Sequence, residues 1–234
     1  MKSDLHIHTS FSRDSFSSPR NVVKAALEAD MDCIAVTDHN TIQGAKETYA
    51  AAMDHPLLVV PGIEVSSKNG HILGLNIKKE IPAGLSAEET IKRIKQQGGT
   101  VIIPHPFHLW MNFKGLAKVL NLIDGVEIFN ARILGGSNKK ALEFAHQNGL
   151  PFTLGSDAHR TGTVGEAFLE TEEAGTWGEL WGRIHVQEVE AGSRSASTLE
   201  KVFHRSLIEI SRTGEIFSFK ANPVRFSRRK EAKE

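Results

Sequence analysis

Short apolar segments alternate with longer amphipathic segments along most of this chain. Apolar runs bounded by turn-forming residues predict β-strands, and the longer stretches with helical spacing predict helices. The predicted strands span 2–8, 32–37, 57–65, 71–77, 100–103, 125–129, 152–155 and 167–170. The predicted helices span 19–29, 41–53, 87–97, 114–122, 138–148, 177–186 and 196–213. This alternation is typical of βα units arranged around a parallel sheet.

Local signals indicate where several of these elements begin, turn or break. Ser18 followed by Pro19 predicts a helix cap and a first helical residue. Asn69-Gly70 is a hairpin-turn pair, so the strand after it is expected to return antiparallel to the strand before it. Pro61 and the glycine after it are expected to break the third strand, because proline cannot donate to a strand ladder.

About seven βα units fit within the 234 residues, and this number favours a closed barrel over an open, doubly wound sheet. We expect one domain over residues 1–219. Residues 220–234 form a separate basic tail, with six Lys or Arg against two Glu. Such a tail is typical of a solvated or disordered segment, and contact with phosphate or nucleic acid is the alternative.

The overall composition excludes several classes of protein. Lys plus Arg and Asp plus Glu both number 28, so no net field attracts nucleic acid or a membrane surface. No apolar run approaches the ~18 residues of a membrane helix, and no signal segment precedes the first strand. Cys33 is the single cysteine, which favours a reducing compartment. Together these features predict a cytoplasmic domain of enzyme size.

Histidines and other polar residues collect where the predicted strands end. His6 and His8 share one face of the first strand, roughly 7 Å apart at Cα, so one metal ion can bridge them. Further polar residues at strand ends are Asp38, His39, Glu64, His105, Asn130, Asp157 and His159. A barrel gathers the carboxyl ends of its strands at one rim, where active sites lie. Imidazole and carboxylate without thiolate suit Mn²⁺, Fe²⁺ or Zn²⁺.

Seven short motifs carry these residues. They are Asp4-Leu5-His6-Ile7-His8-Thr9 with Ser12 and Asp14, Thr37-Asp38-His39-Asn40, Gly62-Ile63-Glu64-Val65, Gly70-His71-Ile72-Leu73-Gly74, Pro104-His105-Pro106, Val126-Glu127-Ile128-Phe129-Asn130, and Gly155-Ser156-Asp157-Ala158-His159. In this order, over residues 1 to about 170, they resemble the PHP (polymerase and histidinol phosphatase) family of metal-dependent phosphoesterases. The resemblance implies an α/β fold, a distorted TIM-like (β/α)7 barrel, which agrees with the strand pattern.

The resemblance also implies two to three divalent ions per chain, Mn, Zn or Fe. The implied ligand sets are His6, His8, Glu64 and Asp157; Glu64, His71 and His105; and Asp14, His39 and His159. Glu64 would bridge two ions, Asp157 would hold one of them, and His159 or a metal-bound water would protonate the leaving group. Two such ions activate a water molecule and neutralise an anionic phosphoryl group.

Arginines beside the ligand motifs are candidate phosphate ligands, because guanidinium binds phosphate in a bidentate manner. The candidates are Arg13, Arg132 and Arg160, and Asn130 stands where some family members have a further histidine ligand. Asn130 would therefore hold a metal less tightly or contact the substrate. A surface position is the alternative for each arginine.

Two further groups of residues are expected near the site. Asp4 and Asp38 adjoin ligand histidines and would accept their second ring N–H, with a turn or cap role as the alternative. Substrate specificity is expected in loops 107–114 and 133–137, and His108 is a candidate pocket residue.

The leading functional hypothesis is a phosphoesterase that hydrolyses a small phosphorylated metabolite, such as a nucleotide or a sugar phosphate. A nuclease acting on DNA or RNA ends is the alternative, kept open by the basic tail. A metal-binding scaffold without catalysis and a non-phosphate hydrolase are further alternatives. The sequence does not define an oligomeric state.

Overall fold

Nine strands form one mixed sheet in the computed structural model, which describes residues 1–133, 136–185 and 190–192. The strands are β1 (Lys2–Ile7), β2 (Cys33–Val36), β3 (Leu58–Ser66), β4 (His71–Leu75), β5 (Thr100–Ile103), β6 (Gly125–Asn130), β7 (Phe152–Gly155), β8 (Phe168–Glu170) and β9 (Glu190–Gly192). The helices are α1 (Pro19–Glu28), α2 (Gln43–Ala52), α3 (Ala87–Lys95), α4 (Leu116–Val119), α5 (Ser137–Gln147) and α6 (Trp177–His185). The predicted helix over 196–213, the domain boundary at 219 and the basic tail lie outside the described residues.

The sheet nearly closes into a barrel. Its strand order is β7-β6-β5-β4-β3-β2-β1-β8-β9. Strands β1, β2 and β3 run parallel to one another, and so do β5, β6 and β7. Beyond β7 the chain returns to β1, where Asp157 N donates to His6 O at 2.8 Å and His8 N donates to Ala158 O at 2.9 Å. The distorted TIM-like barrel predicted from the sequence is therefore confirmed.

The hairpin after β3 distorts the barrel. Gly70 has φ 140°, a conformation that side chains disfavour, and the chain turns there into β4. As a result β4 runs antiparallel to β3, as Asn69-Gly70 predicted. It also runs antiparallel to β5. His71 pairs with Ser66, so the first residue of β4 lies at the rim where its neighbour β3 ends.

The expected break at Pro61 is wrong, because β3 continues through it. The first part of β3 pairs with β2 up to Pro61, and pairing with β4 starts at Gly62. Pro61 lacks an N–H, but it sits where the strand exchanges one partner for the other, and its carbonyl accepts from Ile77 N at 3.2 Å. A nine-residue strand therefore carries the chain into Glu64.

The helices cover the outside of the sheet. Ser18 Oγ accepts from Asn21 N at 3.4 Å and Pro19 occupies the first turn of α1, as predicted. The helix predicted over 114–122 is confined to α4, which follows Gly115 in a left-handed conformation. None of the described helices is long and apolar enough to cross a membrane.

Candidate metal centre

Nine side chains predicted to bind metal converge at the carboxyl rim of the barrel. Each has a nitrogen or oxygen within 2.8–3.3 Å of another member of the set. The set comprises His6, His8, Asp14, His39, Glu64, His71, His105, Asp157 and His159. His6, His8 and Glu64 are almost entirely buried, whereas Asp14 is half exposed at the open side.

The first implied ligand set is assembled around the pair on β1. His6 Nε2 and His8 Nε2 lie 3.1 Å apart. Asp157 Oδ1 lies 3.3 Å from His8 Nε2 and 3.7 Å from His6 Nε2. Glu64 Oε2 lies 3.3 Å from His8 Nε2. Two imidazole nitrogens and two carboxylate oxygens therefore face one small volume.

Glu64 presents its two oxygens to different partners. Oε1 lies 2.8 Å from His71 Nδ1 and 3.1 Å from His105 Nε2. Oε2 faces His6 and His8 on the other side. Burial raises the pKa of Glu64, but the nearby imidazoles, His6 above all, outweigh it and hold that pKa well below its usual value. An ionised carboxylate with one oxygen toward each histidine group is suited to bridging two cations.

The third implied set lies toward the open side of the site. His159 Nε2 is 3.0 Å from Asp14 Oδ2, and His39 Nε2 is 3.7 Å from the same oxygen. His39 is also shared, because its Nδ1 lies 3.1 Å from Glu64 Oε2. It can therefore group with Glu64 and His71 as well as with His8 and His159. The family pattern assigned His39 to the third set alone.

Several buried nitrogens at the centre indicate that these residues fit metal ions. Nδ1 of His39 and Nδ1 of His71 are buried and lack a partner with hydrogen-bond geometry, although both lie close to Glu64. A buried polar atom without a partner costs about 1–3 kcal/mol. Coordination would satisfy these lone pairs, and the donor set of nitrogen and oxygen without sulfur suits first-row divalent ions.

Protons occupy part of this centre when metal is absent. Burial lowers the pKa of His8, but Asp157 and Glu64 outweigh it and raise that pKa to about 9. The pKa of Asp157 is held below its usual value, because His6 and His8 outweigh the effect of burial. A cation that enters must therefore displace a proton from His8.

Glu127 is a buried carboxylate that the sequence reasoning did not assign to the site. Its Oε1 lies 2.8 Å from His6 Nδ1, and its Oε2 accepts from His105 N at 2.9 Å. A glutamate in the middle of the mostly apolar β6 strand was the signal available in the sequence. A carboxylate behind a ligand histidine fixes the ring orientation and leaves Nε2 facing the metal.

Asn130 is fully buried, and both ends of its amide are bonded. Its Nδ2 donates to Glu127 Oε2 at 3.0 Å and to Asp157 Oδ2 at 3.1 Å. Its Oδ1 accepts from Arg132 N at 3.0 Å. The amide therefore joins a carboxylate of the centre to the carboxylate behind it.

Asp38 acts on the centre through a serine. The expectation that Asp38 accepts directly from a histidine ring is not met, since Thr9 N, Thr9 Oγ1 and Ser12 Oγ donate to it at 2.7, 2.7 and 2.9 Å. Ser12 Oγ lies 2.9 Å from His8 Nδ1. Because the serine hydroxyl donates to Asp38, its oxygen is free to accept from His8, which leaves Nε2 of His8 for a metal.

The Asp4 carboxylate accepts from backbone N–H groups and not from a histidine ring. Ser156 N and Gly165 N both donate to its carboxylate at 2.9 Å. Burial raises the pKa of Asp4 to about 6, although these hydrogen bonds oppose the shift. The residue therefore fastens the segment that carries Asp157 to the start of β1, which corresponds to the turn role left open by the sequence.

Of the three predicted phosphate-binding arginines, the structure brings Arg132 to the ligands. Its Nη1 lies 2.8 Å from His159 Nδ1 and 3.5 Å from Asp157 Oδ1, and its side chain is 51% exposed. Arg13 and Arg160 lie on exposed turns. Arg132 therefore combines contact with the centre and access to solvent.

Known proteins resemble this chain in both sequence and fold. The PHP domain family model matches residues 4–213. An uncharacterized protein of Methanocaldococcus jannaschii is 43% identical over 142 residues, covering 56% of this chain and 82% of that protein. A two-domain Bacteroides vulgatus protein containing a predicted PHP-like metal-dependent phosphoesterase superimposes with a TM-score of 0.70 at 17% identity. That match covers 82% of this chain and 64% of the other, and it shows the shared fold.

Two relatives with named activities align over shorter segments. The 3′,5′-nucleoside bisphosphate phosphatase of Chromobacterium violaceum is 34% identical over 107 residues, 42% of this chain and 37% of that protein. The 5′-3′ exoribonuclease of Haemophilus influenzae is 31% identical over 100 residues, 41% of this chain and 36% of that protein. The chain thus spans little more than a third of each of these two proteins.

Proposed function

The chain belongs to the PHP domain family and is a metal-dependent phosphoester hydrolase, and from this premise we propose that it hydrolyses a small phosphorylated metabolite such as a nucleotide or a sugar phosphate. The observation that carries the proposal is the placement of Glu64, with Oε1 toward His71 and His105 and Oε2 toward His6 and His8. A carboxylate shared in this way is what a centre of two or more cations requires.

We propose that two to three divalent ions, Mn, Zn or Fe, bind to the nine converging side chains. When bound, such ions supply Lewis-acid activation of water and neutralise the charge of the phosphoryl group. Glu127, Ser12 and Asn130 would keep His6, His8 and Asp157 oriented, since each is hydrogen-bonded to one of them. Asn130 would then position a ligand rather than contact the phosphate.

Arg132 is the residue we propose to bind the phosphate. Its guanidinium is half exposed and already borders Asp157 and His159 at the open side of the site. An anionic substrate oxygen would compete for this guanidinium, which matches phosphate in a bidentate manner. Arg13 and Arg160 remain candidates for the outer part of the pocket, because both lie on exposed turns of ligand-bearing loops.

His159 is better suited to bind metal than to store a proton. Burial and the nearby His8 lower its pKa, so its imidazole is neutral at pH 7. Its ring lies against Asp14 on one side and Arg132 on the other. We therefore propose that His159 acts as a ligand and that solvent, rather than His159, supplies the proton of the leaving oxygen.

A nuclease is the second candidate function, favoured by the relative named as an exoribonuclease. The formal net charge of zero counts against it, because a long nucleic acid strand is usually held by a basic track. A scaffold without catalysis is disfavoured by the complete set of converging donors. We also propose that the protein is cytoplasmic, as the single Cys33 suggested, and that residues 1–219 form one domain.

Phosphate release from a panel of nucleotides and sugar phosphates, measured with added Mn²⁺, tests the proposal. We expect turnover of at least one monoester, and a loss of about 10³-fold in kcat/KM for Asp157→Asn, because several kcal/mol of charge stabilisation are removed. Asp54→Asn, at an exposed position, is the matched control. Metal bound at full occupancy without turnover of any ester would refute the proposal, and shortening of labelled oligonucleotides alone would favour the nuclease.

A further inference from the structure

Large apolar side chains are exposed at the rim of the metal centre. Among the described residues eight large hydrophobic side chains are exposed, and five of them lie on the loops that follow β1 and β5. The five are Phe11, Phe16, Leu109, Trp110 and Met111. Trp110 is 84% and Leu109 79% exposed. Each loop itself carries a ligand histidine, His8 after β1 and His105 after β5, so these apolar side chains lie on loops that build the site.

The loop after β5 is anchored at both ends. Near its start, the ring of Phe107 packs edge-on against Phe144, with centroids 5.7 Å apart. At its end, Phe113 is buried and donates its backbone N–H to Pro106 O at 2.9 Å. Lys114 N donates to Asn69 O in the hairpin that precedes His71, at 2.7 Å. The loop thus buries Phe113, partly buries Phe107 and presents Leu109, Trp110 and Met111 outward.

His108 connects the exposed apolar residues 109–111 to the ligand His105 through hydrogen bonds. Its backbone N–H donates to His105 O at 3.0 Å, and its ring centroid lies 6.0 Å from that of His105. Its Nδ1 accepts from Trp110 N at 3.2 Å and from Met111 N at 3.1 Å. The backbone at Trp110 is therefore held in a set position relative to the metal centre before any substrate binds.

We propose that Trp110, flanked by Leu109, stacks on the base of a mononucleotide whose phosphate lies at the metal centre. The inference rests on the proposed function and narrows its substrate class from phosphorylated metabolites to nucleotides. A flat aromatic ring stacks on any base, because every base has a π-face. A sugar phosphate has no such face and would leave the indole in water. The neutral net charge favours a single nucleotide over a long strand.

The kinetic test compares adenosine 5′-monophosphate with ribose 5-phosphate, which has the same phosphate and sugar but no base. Loss of one stacked base is worth roughly tenfold in affinity. We therefore expect Trp110→Ala to raise KM for the nucleotide about tenfold while kcat, and both constants for ribose 5-phosphate, change less than about twofold. Trp110→Phe keeps a stacking ring and restores most of the affinity. Tyr49→Ala, an exposed aromatic on α2, is the control.

A binding test without turnover separates this inference from the proposed function. The chain has three tryptophans, and Trp177 and Trp181 stack on each other with Trp177 buried, so Trp110 is the most exposed reporter. Adenosine 5′-monophosphate should quench the tryptophan fluorescence of the metal-loaded protein, and ribose 5-phosphate should not. Trp110→Phe should remove the quenching.

The outcomes of the two tests separate the hypotheses. Hydrolysis of both esters with no effect of Trp110→Ala overturns the stacking inference and leaves the phosphoesterase intact. Quenching through Trp110 without hydrolysis of any ester supports the stacking inference and refutes the proposed function. If Trp110→Ala raises KM only for 5′-phosphorylated oligoribonucleotides, the assignment to a mononucleotide is overturned. The 5′ end of an RNA chain would then bind at this loop.

Discussion

At the residue level, the ligand histidines of β1 are oriented by groups behind them. Glu127 faces Nδ1 of His6, and Ser12 faces Nδ1 of His8. A carboxylate can only accept, so Nδ1 of His6 donates to Glu127 and Nε2 is the ring nitrogen directed toward the centre. The Ser12 hydroxyl donates to Asp38 and therefore accepts from His8. Two different chemical groups thus accept the Nδ1 proton of neighbouring histidines and leave Nε2 of each ring as the nitrogen that can bind a metal ion.

Glu127→Gln tests this orienting role. Both carboxylate oxygens of Glu127 accept hydrogen bonds, from His6 on one side and from His105 N and Asn130 on the other. An amide places an NH₂ group against one of these donors. We expect Mn²⁺ affinity to fall about 10–100-fold, measured by calorimetric titration. Glu28→Gln, on the exposed surface of α1, should bind as the wild type does, and equal affinities for both variants would contradict the role of Glu127.

The protonation of His8 predicts how metal affinity depends on pH. The pKa of His8 is raised from 6.5 to about 9 in the metal-free fold, so its contribution to stability is complete below pH 6.5 and is lost as pH rises through 9. An entering cation must displace this proton. Burial lowers the pKa of His6, but Glu127, Asp157 and Glu64 outweigh it and raise that pKa well above its usual value, so a second proton must leave with the first. We therefore expect affinity to rise at least tenfold per pH unit up to about pH 9. Titration in buffers of different ionisation enthalpy should show proton release, and an affinity that is flat between pH 6.5 and 9 would contradict this assignment.

At the level of elements, the β3–β4 hairpin gives the centre two ligands from one local unit. Glu64 lies near the end of β3, and His71 begins β4. The Asn69-Gly70 pair predicted this turn, because the required backbone conformation suits glycine. The error at Pro61 arose because a sequence shows that an N–H is missing but not that the strand exchanges partners there.

The packing of α2 against β2 makes Gly44 a sensitive position. A Cβ at Gly44 would lie 1.9 Å from Asp38 Oδ2 and 2.2 Å from Thr9 Oγ1. Gly44→Ala should therefore lower the free energy of unfolding by about 1–3 kcal/mol. Gly182→Ala in α6 meets no atom within 4 Å and should raise it by about 0.5–1 kcal/mol. Urea unfolding measures both, and a neutral Gly44→Ala would show that α2 can shift away from Asp38.

At the level of the whole molecule, the strand-end pattern predicted which residues meet but not how they group. Parallel strands bring their carboxyl ends to one rim, so His8, His39 and Asp157 were expected to lie together from the sequence alone. The sharing of His39 between two groups depends on ring orientation, which spacing along a strand does not specify. Glu127 was missed because it precedes the end of its strand and acts through His6.

Removal of metal is expected to destabilise the whole barrel. The centre gathers buried carboxylates and imidazoles whose lone pairs face one another. An ion present at 100 times its Kd stabilises the fold by about 2.7 kcal/mol. For a chain of this size that corresponds to about 5–10 °C in Tm, which differential scanning calorimetry with and without chelator would measure. Asp157→Asn removes a ligand of one ion and should show a smaller difference in Tm between the two conditions, whereas an undiminished difference in this variant would argue against binding beside Asp157.

The closure between β1 and the segment after β7 has a consequence for the order in which the protein folds. Asp4 and Ser156, which are 152 positions apart, meet there, whereas Glu64 and His71 come from one hairpin. Closing the longer loop costs about 3 kcal/mol more chain entropy than closing the hairpin. We therefore expect the hairpin to form early and the β1–β7 contact to form last. His8 and Asp157 lie on opposite sides of that contact. An ion bound between them would therefore slow the separation of β1 from the segment after β7, and with it the unfolding rate of the barrel.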